Sequence, residues 1–298
     1  MKYFIKSAEF TVRSDKLRGD LYMPESDSKP PVLVMGHGFG GLRKFVLPSF
    51  AERFVDAGMA VLLFDYRGFG DSEGSPRSLV DAKRHLEDFG AAIDYAKTLP
   101  EIDASRIALW GTSFAGGHVL TIASRRKDIA AAVAQVPHVD GLASSLLFPF
   151  SKIPQAMYLA ITDSIASTLG RSAVTIPIVS ETGIACLISH DSYEGYKSLI
   201  PEDCSLKDYV DVPARIMLTV GTYRPVAEAN NIKAPVLIVA AEKDTLIPLW
   251  AVRRTAKKIK DCRLELLPVG HFELYKGEYF EKNILMQIDF LKEKLGII

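Results

Sequence analysis

The stretch Ala-Leu-Trp-Gly-Thr-Ser-Phe-Ala-Gly-Gly, residues 108–117, decides the fold. Its first half continues a short apolar run, 106–110, that reads as a buried strand. Its second half opens a segment, 114–125, with apolar residues at helical spacing. Ser113 stands at the junction. A chain that passes from strand to helix in so few residues must turn sharply, so the serine's neighbours must be small, and Gly111, Ala115 and Gly116 are. Such a turn lifts the Ser113 Oγ clear of the sheet. It also aims the N-terminus of the next helix at whatever the serine meets, where it can stabilise negative charge.

Outward from this junction the same alternation recurs. Before it come two strands, 3–12 and 17–23, joined by a turn around Ser14 and Asp15, then a strand over 31–35, a helix over 48–57 closed by Gly58, a strand over 59–64 and a long amphipathic helix over 79–99. After it come a strand over 129–136 and, further on, a strand over 235–240, a helix over 248–259, a strand over 263–267 and a helix over 279–295. Strands alternating with helices of this length predict an α/β fold, a doubly wound and mostly parallel sheet with helices on both faces. The rhythm breaks between residues 140 and 231. That span is too long for a structureless loop, so it predicts a mainly helical lid domain inserted between two core parts, 1–139 and 232–298.

Three further segments bear on the chemistry. His37-Gly-Phe-Gly-Gly41 follows a strand, and its glycines let backbone approach a ligand closely. Attack by Ser113 on a carbonyl needs two backbone N–H donors for the developing oxyanion; Phe114, directly after the serine, and Phe39 in this loop are the candidates. Asp244 and His271 each follow the end of a C-terminal strand, the edge where open α/β sheets bind ligands. His271 would take the Ser113 proton and Asp244 would hold its tautomer.

The segments MGHGFGG (35–41), FDYRGFGDSEGSPR (64–77), LWGTSFAGG (109–117) and EKDTLIP (242–248) resemble the α/β-hydrolase superfamily, and within it the bacterial and archaeal group around dienelactone hydrolases and X-Pro dipeptidyl-peptidase-like hydrolases. The resemblance implies the α/β-hydrolase fold, a covalent acyl-enzyme on Ser113, the chain order Ser113, Asp244, His271, and no metal or organic cofactor. One departure is Ala115, where the family usually has glycine.

Other residues compete for these roles. Asp140 follows another strand, but Asp244 has Glu242 before it in a strand-end turn and Pro248 behind it. His138 is a candidate for lining the substrate pocket or for packing the lid. His37 is expected beneath the oxyanion loop, His118 in a structural role, and Asp65 and Arg67 at the strand ends. Gly68 and Gly70 begin a dinucleotide fingerprint that Glu73 breaks, and no Walker lysine follows.

Composition bounds the partners. Lys+Arg and Asp+Glu are 36 each, so no electrostatic footprint for nucleic acid or anionic lipid is expected. Cys186, Cys204 and Cys262 are scattered and odd in number, which reads as thiols in a reducing cytoplasm, with a Cys186–Cys204 bridge as the alternative. The N-terminus lacks a signal-peptide core and no segment reads as a membrane span, so a cytoplasmic protein is expected.

The expected function is hydrolysis of a small-to-medium carboxylic ester, with a thioesterase, an aminopeptidase-like amidase, a carbon–carbon hydrolase or lyase, or a slow-hydrolysing small-molecule receptor as alternatives on the same residues. An amidase would need a carboxylate for the free amino terminus; Glu181, Glu194 and Glu202 are candidates. The apolar density of 142–161 predicts that Phe148, Met157 and Tyr158 line an acyl pocket. Packing on one another or a homodimer contact is the other use of such residues.

Overall fold

The computed structural model describes residues 2–202, 204 and 211–297; part of the 140–231 span, residues 203 and 205–210, lies outside them. The chain runs β1 (Tyr3–Val12), β2 (Asp15–Pro24), β3 (Val32–Gly36), α1 (Leu47–Asp56), β4 (Ala60–Phe64), α2 (Ala82–Thr98), β5 (Ile107–Thr112), α3 (Phe114–Arg125) and β6 (Ala131–Gln135). There follow α4 (Gly141–Ser145), α5 (Ile153–Thr168), β7 (Thr175–Pro177), α6 (Ser192–Ser198), β8 (Asp211–Pro213) and α7 (Ile216–Thr219). The chain then completes β9 (Val236–Ala241), α8 (Leu249–Ala256), β10 (Cys262–Leu267) and α9 (Gly277–Leu295).

Among the described residues the main sheet has eight strands in the order β1-β2-β4-β3-β5-β6-β9-β10. All neighbours from β4 to β10 are parallel, and β2 is antiparallel to both β1 and β4. This is the α/β-hydrolase fold. Its central strands are continuous apolar runs because both faces are covered. In β5, Ile107 and Leu109 join the core under α2 and α3, while Ala108 and Trp110 join the core under α1 and α9. Helix α2 shows the matching logic: Phe89, Ala92, Ile93 and Ala96 recur at helical spacing and are buried. It begins later than the pattern suggested, because the Asp81 side chain caps it by accepting from the Arg84 N–H.

Strand β3 sits between β4 and β5, so the chain reverses its direction of strand addition there. The helix after β3 packs on one face and the helix after β5 on the other. Their loops part at the carboxyl ends of the strands and leave a crevice, the general ligand position in such sheets.

Between β6 and β9 the chain leaves the sheet. The apolar stretch after Asp140 is one short helix, a turn at Pro149 and the longer α5, which Pro154 starts. The rest is less helical than expected. It holds a two-stranded antiparallel sheet, β7 with β8, and short turns. The Cys186–Cys204 bridge does not form. Among the described residues no helix is long and apolar enough to cross a membrane.

Candidate active site

Ser113 occupies a backbone conformation that few side chains tolerate, φ 54° and ψ −117°. Two hydrogen bonds pin it there: its N–H donates to Gln135 O at the end of β6 at 2.9 Å, and its carbonyl accepts from the N–H of His138, in the loop that follows, at 2.9 Å. The turn is tight around it. A Cβ on Gly111 would stand 2.3 Å from Ala115 O, and one on Gly117 would stand 2.3 Å from His138 O. These closest approaches fall on glycines, so the methyl of Ala115 fits where the family usually has none.

His271 follows β10 and is buried; its Nε2 lies 3.1 Å from Ser113 Oγ and its Nδ1 lies 2.7 Å from Asp244 Oδ2. The other oxygen of Asp244 accepts from the N–H groups of Leu246 and Ile247, both at 2.9 Å. Three hydrogen bonds thus orient the carboxylate, and the imidazole is held between it and the serine. The structure brings these three residues together from three separate strand ends.

The loop after β3 reaches the same point. A Cβ on Gly38 would lie 3.2 Å from Ser113 Cβ and 3.3 Å from Thr112 O, tighter than ordinary van der Waals contact, so glycine lets the backbone of this loop come near the serine without pushing it aside. Phe39 follows, its ring edge-on to Phe114 at 5.6 Å. Phe114 is the first residue of α3, and its N–H has no intrahelical acceptor.

Asp140 is elsewhere employed. Arg224 Nε and the Arg224 terminal nitrogen reach its two oxygens at 2.7 and 3.0 Å, and the Leu142 N–H donates to it at 3.2 Å. Burial alone would raise the Asp140 carboxyl, but the Arg224 contacts outweigh it and hold it below its ordinary value. Glu181, Glu194 and Glu202 are all exposed.

Four histidines form a buried group beneath the turn. His37 bonds its own loop through Gly38 O at 3.1 Å, His85 stacks on Tyr66 at 4.1 Å, and His118 reaches the Tyr223 hydroxyl at 2.8 Å. His138 stacks on Tyr223 at 5.9 Å, and burial pushes its imidazole down to about 4. Burial also lowers the other three. Asp65, directly after β4, does bond a neighbouring strand, donating its backbone N–H to Arg18 O of β2 at 3.0 Å, whereas Arg67 does not tie strand ends. Asp65 accepts from Arg43, and Arg67 pairs with Asp88 at 2.5 Å and Glu87 at 2.8 Å, anchoring the loop after β4 to α2.

A cavity of about 270 Å³ opens beside Ser113. His138, Phe148 and Met157 line it, together with Ile153, Leu187 and Val220. Tyr158 does not: its side chain is 69% exposed on the outside of α5, which corrects the expectation that it faces the pocket. Adjacent helical residues point about 100° apart, so Met157 and Tyr158 cannot both face in. Ile153, one turn before Met157, takes that place, and its helical spacing from Met157 was the signal available in the sequence. Two further residues had no such signal. The Tyr275 hydroxyl lies 2.6 Å from Thr112 Oγ1, and Gln135 Nε2 lies 3.2 Å from the same oxygen, below the serine. Among the described residues no group of three or more His, Cys, Asp or Glu is placed to hold a metal ion.

Comparison with known proteins agrees with this architecture. Residues 27–276 match the model of the family described as Serine aminopeptidase, S33. Over 285 residues the chain is 41% identical to quorum-quenching protein AidA of Acinetobacter baumannii, covering 95% of this chain and 93% of that protein. It is 33% identical over 182 residues to thiohydrolase aneE of Aspergillus aculeatus, 59% of this chain and 55% of that protein. The crystal structure of the alpha/beta hydrolase GrgF from Penicillium sp. sh18 aligns with a TM-score of 0.84 at 27% identity, over 98% of this chain and 99% of that one. The superfamily is the one the motifs resemble; below that level the matching model is the S33 one rather than the dienelactone-hydrolase or X-Pro dipeptidyl-peptidase-like groups. The chain belongs to the α/β-hydrolases of this S33 family.

Proposed function

We propose that this protein hydrolyses esters of small-to-medium carboxylic acids through an acyl-enzyme on Ser113. The observation that carries the reading is the hydrogen-bonded series Ser113–His271–Asp244 at the mouth of an apolar cavity. His271 Nε2 takes the Ser113 proton as Oγ bonds to the ester carbon. The carbonyl electrons move onto oxygen, where the N–H groups of Phe39 and Phe114 receive the charge. Collapse expels the alkoxide, which leaves with the proton from His271. Water then attacks the acyl carbon, His271 takes its proton, and the acid departs as Ser113 is reprotonated. Asp244 stabilises the imidazolium throughout. No metal or cofactor enters these steps.

In this reading residues 140–231 act as a lid domain. Phe148, Ile153, Met157, Leu187 and Val220 from that span form much of the cavity wall. The volume stands near the lower end of small-ligand sites, about 300–1,000 Å³, which suits a short acyl group. The walls are apolar, which favours uncharged chains. Among the described residues lining the cavity there is no Asp or Glu. An aminopeptidase-like activity therefore lacks its anchor for a free amino terminus. A thioester is the second reading, favoured by the likeness to a protein named thiohydrolase.

The test is a panel of p-nitrophenyl acyl esters, acyl thioesters and aminoacyl p-nitroanilides, run with wild type and Ser113→Ala. Ester turnover should fall roughly 10⁴- to 10⁶-fold in the variant. A fluorophosphonate probe should label Ser113. Labelling at a different serine, or ester turnover that survives Ser113→Ala, would overturn the assignment.

A further inference from the structure

Helix α5 has two unlike faces. Ala156, Ala160 and Asp163 are buried against the body, and Ile153, Ala156 and Met157 line the cavity. The opposite face carries Tyr158, Ile161, Ile165 and Leu169, which are 69, 48, 54 and 59% exposed. Steps of three and four residues set these four in one stripe along the helix. Phe150 and Leu146, 81 and 72% exposed, extend the apolar surface beyond its N-terminal end.

A helix on the outside of a soluble domain normally turns its charges outward. The single charged residue of α5, Asp163, is instead turned inward, where Arg215 Nε reaches it at 2.6 Å. The six exposed side chains present on the order of 700 Å², above the largest patch of a typical monomer, about 300–600 Å². That area is close to the ~800 Å² that each partner contributes to a stable complex. A row of uncharged side chains is also its own complement: two copies of α5 related by a two-fold axis meet with no like charges opposed. A lipid surface fits less well. Helices that lie in a membrane interface carry Lys and Arg on the polar face; α5 has neither, and the formal net charge of the chain is zero.

We propose that this face is the interface of a homodimer, with α5 of one copy packed on α5 of a second copy of this chain. The reverse side of the same helix is the cavity wall, so the dimer braces the wall that faces the substrate.

Sedimentation velocity over a concentration series, from submicromolar to tens of micromolar, tests this. Wild type should show a species at twice the chain mass of 32.8 kDa. The double variant Ile161→Glu, Ile165→Glu should weaken self-association by roughly 100-fold or more. Both positions are solvent-facing in the single chain, and circular dichroism and thermal melting will establish that the variant is folded. A second measurement does not depend on that variant. Ile165→Cys should give a covalent dimer with a short bismaleimide, and the parent protein with its three native cysteines should not. Wild type that stays monomeric at every concentration overturns the proposal. So does a dimer that the double variant leaves intact, or a monomer that instead floats with uncharged phosphatidylcholine vesicles.

Discussion

The Tyr275 hydroxyl lies 2.6 Å from Thr112 Oγ1, which joins the loop that carries His271 to the strand that delivers Ser113. Ser113 and His271, the proposed nucleophile and base, come from segments 158 residues apart, and this buried contact ties their supports together. Gln135 extends it, accepting from Asn283 at 2.5 Å and from Gln287 at 2.9 Å on α9. Tyr275→Phe should leave the fold intact at a cost of about 1–2 kcal/mol. It should lower kcat by roughly tenfold with little change in KM, because the contact positions the proposed base rather than the substrate. Steady-state kinetics beside urea titration will check this; a rise in KM with kcat unchanged would contradict it.

The two strand-end carboxylates should behave differently. Asp244→Asn should cut kcat/KM by about 10⁴-fold, since an amide at that point favours the wrong tautomer of His271. Asp140→Asn should change it by no more than a few-fold, because Asp140 is held by Arg224 and does not contact His271. A larger loss in Asp140→Asn than in Asp244→Asn would show that the acid has been misassigned.

Acid should destabilise the protein through its buried histidines. Burial lowers His37, His85 and His118, and brings His138 down to about 4. In the unfolded chain a histidine titrates near ~6.5. As pH falls below that value, the unfolded state takes up protons that the folded state refuses, so stability is full above about pH 6.5 and is lost toward pH 4. His138 alone should account for up to about 3 kcal/mol of that loss. Urea midpoints measured from pH 7 down to pH 5 should fall for wild type. The fall should be smaller for His138→Leu, and equal falls would refute the assignment to His138.

Chain-length preference should follow the inner face of α5 and ignore the outer one. Each added methylene should gain about 0.8 kcal/mol, near fourfold in kcat/KM, until the cavity is full. Met157→Trp should shorten the best acyl group, and Phe148→Ala should lengthen it. Tyr158→Ala should leave the profile unchanged. A profile that moves with Tyr158 and not with Met157 would mean that α5 turns its other face to the substrate.

The sequence by itself determined the sheet, the turn at Ser113 and the order of the strand ends that bear Asp244 and His271. These are local matters. An apolar run buried on both faces has to be a central strand, and a serine between strand and helix has to have small neighbours. The sequence also marked the loop of Gly38 and Phe39, because glycine eases a close approach of backbone to the serine.

Tertiary structure alone decided the rest. Met157 and Tyr158 are adjacent in an apolar segment, yet one faces the cavity and the other faces solvent. Their composition is compatible with either role; the rotation of α5 against the sheet makes the choice, and contacts distant in the chain set that rotation. Asp163 illustrates the cause, since Arg215, 52 residues away, turns it inward and so turns the apolar stripe out. Asp140 and Asp244 both stand at the ends of strands, and the context of Glu242 and Pro248 already favours Asp244; what each one meets is decided in three dimensions. Arg224, 84 residues beyond Asp140, takes up the first, and His271, 27 residues beyond Asp244, meets the second. Hydrogen-bond partners so far apart leave no period or spacing in the sequence, because they meet only when the strands between them have paired.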